Sequence, residues 1–309
     1  MEKLIALGTG SALPIKNRGA SSQVIQSGNS YYLIDCGEGT QLKLRDLKIP
    51  FLRINHIFIS HLHGDHFLGL PGLISSFNLL NRQQKLCVYG PKGLKEIIHI
   101  IFKFSYTQTC FELEFIEWDV KITEPILIEE NKQLQISTFS LNHRIPCFGY
   151  LFQEKAKERK LLSSAIQKYN IPIQFRGRIK QGMDYLQEDG HVIPNSLLTE
   201  DAEVPISYAY CSDNRVKENQ LEFLQNTNYL YHEATFTQEL LDRAKTTMHS
   251  TAYEAASLAK KLNVGTLLLG HFSARYTNLK PILDEAKSVF INTIALNDGE
   301  EIILRNRKF

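Results

Sequence analysis

Four side chains able to bind metal ions lie within six consecutive residues of this chain. The stretch SHLHGDHFLG contains His61, His63, Asp65 and His66, although the chain has only 10 histidines among 309 residues. Imidazole nitrogens and carboxylate oxygens are ligands that suit zinc and similar divalent cations. A lone histidine is usually a packed side chain with one hydrogen bond, but four such groups on one turn have no comparable structural explanation. The stretch therefore predicts a metal site.

Three more candidate ligands follow apolar runs later in the chain. His143 comes after QISTFSLN, Asp213 after SYAYCS and His271 after TLLLG. Taken singly, each histidine would more often be structural. Together the seven ligands are more than one cation needs, and a carboxylate can bridge two cations about 3.5–4 Å apart. We therefore expect two metal ions, the first bound by His61, His63 and His143, the second by Asp65, His66 and His271, with Asp213 shared.

Strand ends must position these ligands. NHIFIS predicts a buried strand that ends at Ser60, and HFLGLPGLISSFNLL predicts a helix with Pro71 near its first turn. Opening strands are predicted from KLIALG, SSQVIQS and SYYLID, and a helix over residues 38–47. PISYAYCSD, NYLYHEA and VGTLLLGH are apolar runs that each stop on an ionisable residue. Alternating strands and helices with ligands after the strands are typical of an α/β fold.

The second half contains two further helix signals. TAYEAASLAKKL begins with a capping-box pattern, Thr251 followed by Glu254, and has apolar residues three and four apart. Residues 279–289 predict another helix, which is followed by the short strands TIAL and EIIL.

Composition is that of an ordinary soluble globular protein. The chain is 43% hydrophobic and 22% charged, and its net charge of +2 does not by itself indicate a nucleic-acid partner. The five cysteines are widely spaced without a CxxC pair, which argues against a disulfide framework and a cysteine zinc site. No signal-peptide pattern and no run of about 18 apolar residues is present. We expect a cytoplasmic protein that does not bind membranes.

Residues 155–197 differ from the rest of the chain. This segment is polar and contains eight basic against four acidic residues, an excess that accounts for the whole net positive charge. The plainest interpretation of such a run is a solvated surface loop. We expect one domain over residues 1–309 with residues 155–197 as an insert.

The arrangement HLHGDH, His143, Asp213 and His271 resembles the metallo-β-lactamase superfamily. That resemblance implies an αββα four-layer sandwich with a dinuclear zinc site, two Zn²⁺ per subunit, that catalyses hydrolysis. More specifically, GTGSALPIKNR, SHLHGDHFLGLPGL, HEAT, HST and GHFSARY resemble, in this order and at a similar length, the motifs of the short form of the ribonuclease Z family. The resemblance implies an endoribonuclease that removes the 3′ trailer from precursor tRNA and leaves a tRNA 3′-hydroxyl and a trailer 5′-phosphate.

The resemblance also implies how the substrate is held. The loop with Pro14, Lys16 and Arg18 would lie beside the tRNA 3′ region. The basic insert, here with Arg176, Arg178 and Lys180, would be a protruding flexible arm that binds the tRNA body across a homodimer. These basic side chains are spaced to neutralise phosphates, so affinity should fall as salt rises.

Cleavage of a phosphodiester expels an alkoxide, so a general acid is needed beside the metal site. His249, oriented and kept protonated by Glu233, would serve, and the resemblance implies the same pair. The alternative is a buried structural pair. We count Asp65, Glu233 and His249 as catalytic, place His232 behind the site because it alternates with Glu233 along a strand, and expect Ser273 and Arg275 to hold a phosphate.

Rival functions remain open at this point. A thioesterase similar to glyoxalase II or an arylsulfatase-like enzyme would share the metal site, but neither needs a basic arm. A ribonuclease J-like enzyme would carry a second inserted domain of a size that this chain lacks. A non-catalytic RNA-binding homologue would have lost ligands, whereas every ligand position here is occupied.

Overall fold

The computed structural model describes residues 1–119, 121–217 and 221–305. They form two compact units, one built from residues 1–153 with the chain from 206 onward, the other from residues 154–205. The predicted insert at 155–197 falls within the second unit. Its boundaries in the structure are therefore wider than the basic run suggests.

The first unit contains two seven-stranded sheets, with strands numbered in chain order. The first sheet has the order β18-β1-β2-β3-β4-β5-β6. Its strands are β1 (Lys3–Gly8), β2 (Ser22–Ser27), β3 (Ser30–Ile34), β4 (Ile54–Phe58), β5 (Leu86–Pro91), β6 (Leu113–Trp118) and β18 (Glu301–Ile303). β3 to β6 are mutually parallel, and β2 pairs with β3 as an antiparallel hairpin.

The second sheet has the order β17-β16-β15-β14-β9-β8-β7. Its strands are β7 (Ile126–Glu130), β8 (Leu134–Ser140), β9 (Phe148–Glu154), β14 (Ser207–Cys211), β15 (Tyr229–Glu233), β16 (Thr266–Gly270) and β17 (Thr293–Ala295). β14 to β17 are parallel, so their carboxyl ends share one edge.

Helices cover the outer faces of both sheets. The helices on the outer face of the first sheet are α1 (Thr40–Asp46), α2 (Gly64–Phe67), α3 (Leu70–Leu79) and α4 (Leu94–Phe104). The helices on the outer face of the second sheet are α8 (Leu241–Thr247), α9 (Ala252–Lys261) and α10 (Lys280–Val289). The Thr251–Glu254 capping box at the start of α9 is confirmed.

Strand alternation builds the layers. In β1, Leu4 belongs to the core between the sheets, whereas Ile5 packs in the core beneath α1, α3 and α4. In β16, Leu268 faces the other sheet and Leu269 faces α9 and α10. Both faces of these strands are buried, because successive side chains point to opposite sides. The predicted αββα sandwich is confirmed.

One predicted helix is divided. HFLGLPGLISSFNLL is not a single helix but the end of α2 followed by α3, with Pro71 in the first turn of α3 as expected. The break lies at Gly69, whose amide donates to the Cys36 carbonyl at 2.9 Å. A Cβ on Gly69 would lie 2.1 Å from the Gly37 carbonyl oxygen, so this close approach requires glycine.

The second unit has secondary structure and a core of its own. It contains β10 (Lys160–Leu161), α5 (Ser163–Lys168), α6 (Ile173–Lys180), β11 (Tyr185–Leu186), β12 (Val192–Ile193), α7 (Asn195–Leu198) and β13 (Thr199–Glu200). β10 pairs with β13 and β11 with β12. Ile171, Ile179, Tyr185 and Leu198 are buried together. The segment is therefore more than the solvated loop that its polar composition indicates.

Within the described residues, no helix combines the length and the apolar character needed to cross a membrane.

Candidate metal centre

Both sheets contribute side chains to one edge of the sandwich. β4 ends at Phe58 and leads into the turn that carries His61 to His66, while His143 lies three residues after β8. Asp213 follows β14 by two residues and His271 follows β16 directly. Sequence reasoning predicted that these strand ends meet, and the structure brings all seven predicted ligands together.

The first group of donor atoms is His61, His63, His143 and Asp213. His61 Nε2 lies 3.0 Å from His63 Nδ1, which is 3.3 Å from His143 Nε2. Asp213 Oδ2 is 3.4 Å from His61 Nε2 and 3.7 Å from His143 Nε2. Three imidazole nitrogens and one carboxylate oxygen therefore surround a single point.

The second group is Asp65, His66 and His271, and the other oxygen of Asp213 completes it. His66 Nε2 lies 3.3 Å from His271 Nε2, and Asp65 Oδ2 is 3.5 Å and 3.4 Å from these two nitrogens. Asp213 Oδ1 is 3.0 Å from His271 Nε2. Asp213 thus gives one oxygen to each group, which is how a bridging carboxylate binds.

The donor spacing fits divalent cations. Four ligand atoms at about 2.0–2.1 Å from a tetrahedral ion are about 3.3–3.4 Å from one another. The observed separations run from 3.0 to 3.7 Å. Burial and the charge of His66 lower the pKa of His61 to about 4, so its ring is neutral and able to bind metal at neutral pH.

The acidic residues and His66 form a tightly coupled set. Burial opposes ionisation of Asp65 and Asp213, but the surrounding histidines hold the pKa of both carboxyls below the usual range. Burial likewise lowers the pKa of His66, yet the carboxylates of Asp65, Asp213 and Asp35 raise it well above its ordinary value. A cation bound at His66 Nε2 would therefore displace a proton.

Asp35 is a site residue that the sequence predictions missed. It is fully buried after β3, where its carboxylate accepts hydrogen bonds from the Ser60 amide at 2.7 Å and the Tyr210 hydroxyl at 2.6 Å. His66 Nδ1 lies 2.7 Å from Asp35 Oδ2, which leaves His66 Nε2 to face the metal site. SYYLID shows the same pattern of a strand ending on an ionisable residue that was used for the later ligands.

The predicted acid pair is formed. His249 Nδ1 lies 2.9 Å from Glu233 Oε1 and 3.9 Å from Asp213 Oδ2. Burial lowers the pKa of His249, but the charge and hydrogen bond of Glu233 outweigh it and raise the pKa to about 9. His249 is therefore protonated at neutral pH, with Nε2 not engaged by Glu233. This is the state that a general acid needs.

His232 lies behind this pair. Its ring is buried, with Nδ1 2.8 Å from the Glu233 carbonyl oxygen and Nε2 3.1 Å from the Asn214 side-chain amide. The Asn214 backbone amide in turn donates to Glu233 Oε1 at 2.8 Å. His232 therefore supports the carboxylate that holds His249, and no metal-ligand group of the described residues includes it.

Arg215 connects two of the site loops. Its guanidinium donates to the His249 carbonyl at 3.1 Å and forms a bidentate ion pair with Glu254. Its backbone amide donates to the Asn142 carbonyl at 2.8 Å, beside His143. The metal-ligand loop and the acid loop are therefore tied to each other.

A cavity of about 400 Å³ opens above the donor atoms. Residues from both donor groups line it, as do His249 and the loop around Ser11 and Pro14. Arg144, which the sequence predictions missed, also lines this cavity. Its position directly after ligand His143 was the available signal.

The predicted substrate-binding residues of the first unit differ in their surroundings. Lys16 and Arg275 are exposed, and Ser273 is buried with its hydroxyl 3.3 Å from the Arg275 guanidinium. Arg18 is 8% exposed and donates to the Tyr276 carbonyl at 2.9 Å. Its guanidinium therefore contacts the loop at Tyr276. Their roles in binding remain predictions.

The predicted contacts of the second unit lie on α6. Arg178 and Lys180 are exposed, while Arg176 is half-buried and donates to the Ile171 carbonyl at 3.1 Å. Arg178 and Lys180 are thus the more accessible of the three cations. Their contact with RNA stays a prediction.

Two layers of helices around two sheets, with this donor set at the edge, define a metallo-β-lactamase fold protein. The fold is shared with the metallo-β-lactamase fold protein YhfI from Bacillus subtilis, at a TM-score of 0.67 and 18% identity over 97% of this chain and 98% of that one. Residues 2–167 match the family model described as anti-Pycsar protein Apyc1, and over that stretch the chain belongs to the family of this model.

Relatives that match nearly the whole chain identify a more specific family. Ribonuclease Z of Bacteroides fragilis (strain YCH46) is 44% identical over 301 residues, 97% of this chain and 98% of that protein. The crystal structure of human tRNase Z, short form, superposes with a TM-score of 0.71 at 27% identity, covering 98% of this chain and 100% of that one. The chain belongs to the ribonuclease Z family.

Proposed function

We propose that this protein is a metal-dependent endoribonuclease that removes the 3′ trailer from precursor tRNA. The products would be a tRNA with a 3′-hydroxyl and a trailer with a 5′-phosphate. The observation that carries the proposal is the His249–Glu233 pair at 2.9 Å beside two metal-donor groups, in a chain related over nearly its full length to ribonuclease Z.

The chain's own residues divide the work of hydrolysis. Seven side chains would hold the cations, which when bound would supply Lewis acidity and a more acidic water. Asp65, which lines the cavity, accepts the proton of the attacking water in this scheme. As the bond between phosphorus and the 3′-oxygen breaks, His249 gives its proton from Nε2 to that oxygen.

Zinc is the metal we propose, with two ions per subunit. Five of the seven ligands are histidines, and imidazole-rich sites with four donors suit zinc. Metal analysis of the purified protein tests this. About two equivalents of zinc support the proposal, and one equivalent, or a different metal restoring full activity when zinc does not, contradicts it.

We propose that the second unit is an arm that binds the tRNA body. We also propose that the protein is a homodimer and works in the cytoplasm. Arg178 and Lys180 are exposed on α6, where they can contact phosphates. Light scattering coupled to gel filtration tests the dimer. Removal of residues 154–205 tests the arm, and precursor binding should weaken while zinc content stays constant.

Cleavage of one precursor tRNA, with both product ends mapped, tests the function directly. We expect one cut at the 3′ end of the tRNA body, with the end groups given above. Assaying a glutathione thioester in parallel separates the main rival, because a glyoxalase II-like enzyme would hydrolyse the thioester and leave the RNA intact.

Two variants separate cutting from binding. His63→Ala and Asp65→Ala each remove one metal ligand without touching the second unit, so precursor tRNA should still bind and should not be cut. Unimpaired cutting by Asp65→Ala would contradict its place at the metal site. A wild-type protein that binds precursor tRNA but never cuts it would support the non-catalytic alternative.

A further inference from the structure

Besides the protonated His249, the described wall of the cavity above the metal donors carries one permanently charged cation. Among the described residues that line it, Arg144 is the single arginine or lysine. Carboxylates of Glu38, Asp65 and Asp213 line the same cavity. Arg275, predicted to hold a phosphate, and Lys16, predicted to lie beside the tRNA 3′ region, are not among the residues that line it.

The loop that carries Arg144 is anchored by its other residues, while the Arg144 side chain remains available. Two residues before Arg144, the Asn142 carbonyl accepts a hydrogen bond from the Arg215 backbone amide at 2.8 Å, and the Asn142 side-chain amide donates to the Arg215 carbonyl at 2.7 Å. On the same loop, His143 Nδ1 is held 3.0 Å from the Met248 carbonyl. Within the described parts of the chain, no acceptor lies within hydrogen-bond or ion-pair distance of the Arg144 guanidinium, although Arg144 shares the cavity with three carboxylates.

An exposed arginine without a partner is ordinary on a protein surface, but Arg144 lines the cavity that opens above the donor atoms. A phosphodiester that reaches the metal donors must occupy that cavity. Arginine is suited to such a group, because its planar fork donates two parallel hydrogen bonds to two oxygens of one phosphate.

We propose that Arg144 binds the phosphate at which the RNA is cut, by donating hydrogen bonds to its non-bridging oxygens. The inference rests on the proposed function in taking a phosphodiester as substrate, and it assigns the contact to the cavity wall rather than to the loop at Ser273 and Arg275. Negative charge on the non-bridging oxygens grows as water attacks phosphorus. Arg144 therefore stabilises the transition state more than the bound substrate, and its loss should act mainly on kcat.

The test compares Arg144→Ala and Arg144→Lys with wild type on two substrates, precursor tRNA and bis(4-nitrophenyl) phosphate. The second substrate offers one phosphodiester and no RNA, so contacts to the tRNA body do not affect it. We expect Arg144→Ala to lower kcat by about 100-fold on both, the size typical of losing one donor to a developing oxyanion. Arg144→Lys keeps the charge without the fork and should fall between. Arg45→Ala, which removes an exposed arginine from α1, is the matched control and should stay within about twofold of wild type.

Zinc content and thermal unfolding are measured on every variant, because a collapsed metal site would also lower activity. Unchanged zinc and melting temperature, together with guanidinium ion restoring part of the Arg144→Ala rate, support the proposal. An unchanged rate on either substrate, or loss of zinc from both Arg144 variants, overturns it. If wild type hydrolyses the small diester but not precursor tRNA, the proposed function is wrong. The effect of the Arg144 variants on hydrolysis of the diester then still tests the role of Arg144.

Discussion

Replacing Glu233 by glutamine should move the pH range over which the enzyme cuts RNA. Glutamine keeps an oxygen that can accept from the Asn214 amide, now 2.8 Å from Glu233 Oε1, but removes the negative charge beside His249. That charge is what raises the pKa of His249 to about 9 against the effect of burial. Without it, the pKa should fall to the ordinary histidine value of about 6.5 or below, a change of about 3 kcal/mol in favour of the neutral ring.

The magnitude follows from the fraction of protonated acid. At pH 8, a group with a pKa of 9 is about 90% protonated and one with a pKa of 6.5 about 3%, so the rate should fall about 30-fold. At pH 6 the loss should be about twofold or less from protonation alone. Single-turnover cleavage of precursor tRNA between pH 5.5 and 9.5 measures how the rate changes on the acidic and the alkaline side.

Asp242→Asn is the control, because it removes an exposed carboxylate from α8 and leaves the pair intact. If the cleavage rate of Glu233→Gln still declines only near pH 9, the reasoning is refuted. An equal loss at every pH would also refute it and would indicate a structural pair instead of a tuned acid.

The same pair should affect stability in the metal-free protein. The folded-state pKa of His249 lies above the unfolded value of about 6.5, so its contribution is complete below that pH and is lost as pH rises through about 9. Urea unfolding at pH 6.5 and 9.5 should therefore show a larger drop in stability for wild type than for Glu233→Gln.

Three further predictions concern other parts of the molecule. Chelation by EDTA should abolish cleavage and lower the melting temperature, and added zinc should restore both, as followed by activity and calorimetry. Replacing Arg178 and Lys180 together by alanine should weaken precursor binding and reduce the slope of log affinity against log salt by about 1 to 2, measured by filter binding, if each contacts one phosphate. Thr251→Ala should lower the free energy of unfolding by about 1 kcal/mol in urea titrations, since it removes the cap of α9.

The metal ligands could be predicted because their signal is local or repeats. His61 to His66 lie on one turn, and His143, Asp213 and His271 each follow a strand. Asp213 and His271 follow the parallel strands β14 and β16, whose carboxyl ends share one edge. Asp35 follows the same rule. It was missed because an aspartate after a strand is common, and only its contacts with His66 and Tyr210 show that it orients a ligand.

Features that depend on tertiary contact could not be predicted in this way. The break between α2 and α3 arises because Gly69 packs against Gly37, which is distant in sequence. The core of the second unit is equally hidden, since Ile171, Ile179 and Tyr185 are scattered among polar residues without a helical or strand period. Arg144 is recognisable only once the cavity it lines is known.

Each donor group takes ligands from both sheets: His61 and His63 from the first sheet meet His143 and Asp213 from the second, and Asp65 and His66 meet His271 and Asp213. The cations would therefore act as reversible cross-links between the two halves of the sandwich. Their binding free energy becomes part of the free energy that keeps the halves docked. The supply of metal in a cell would then set how long the folded protein survives as well as how fast it works.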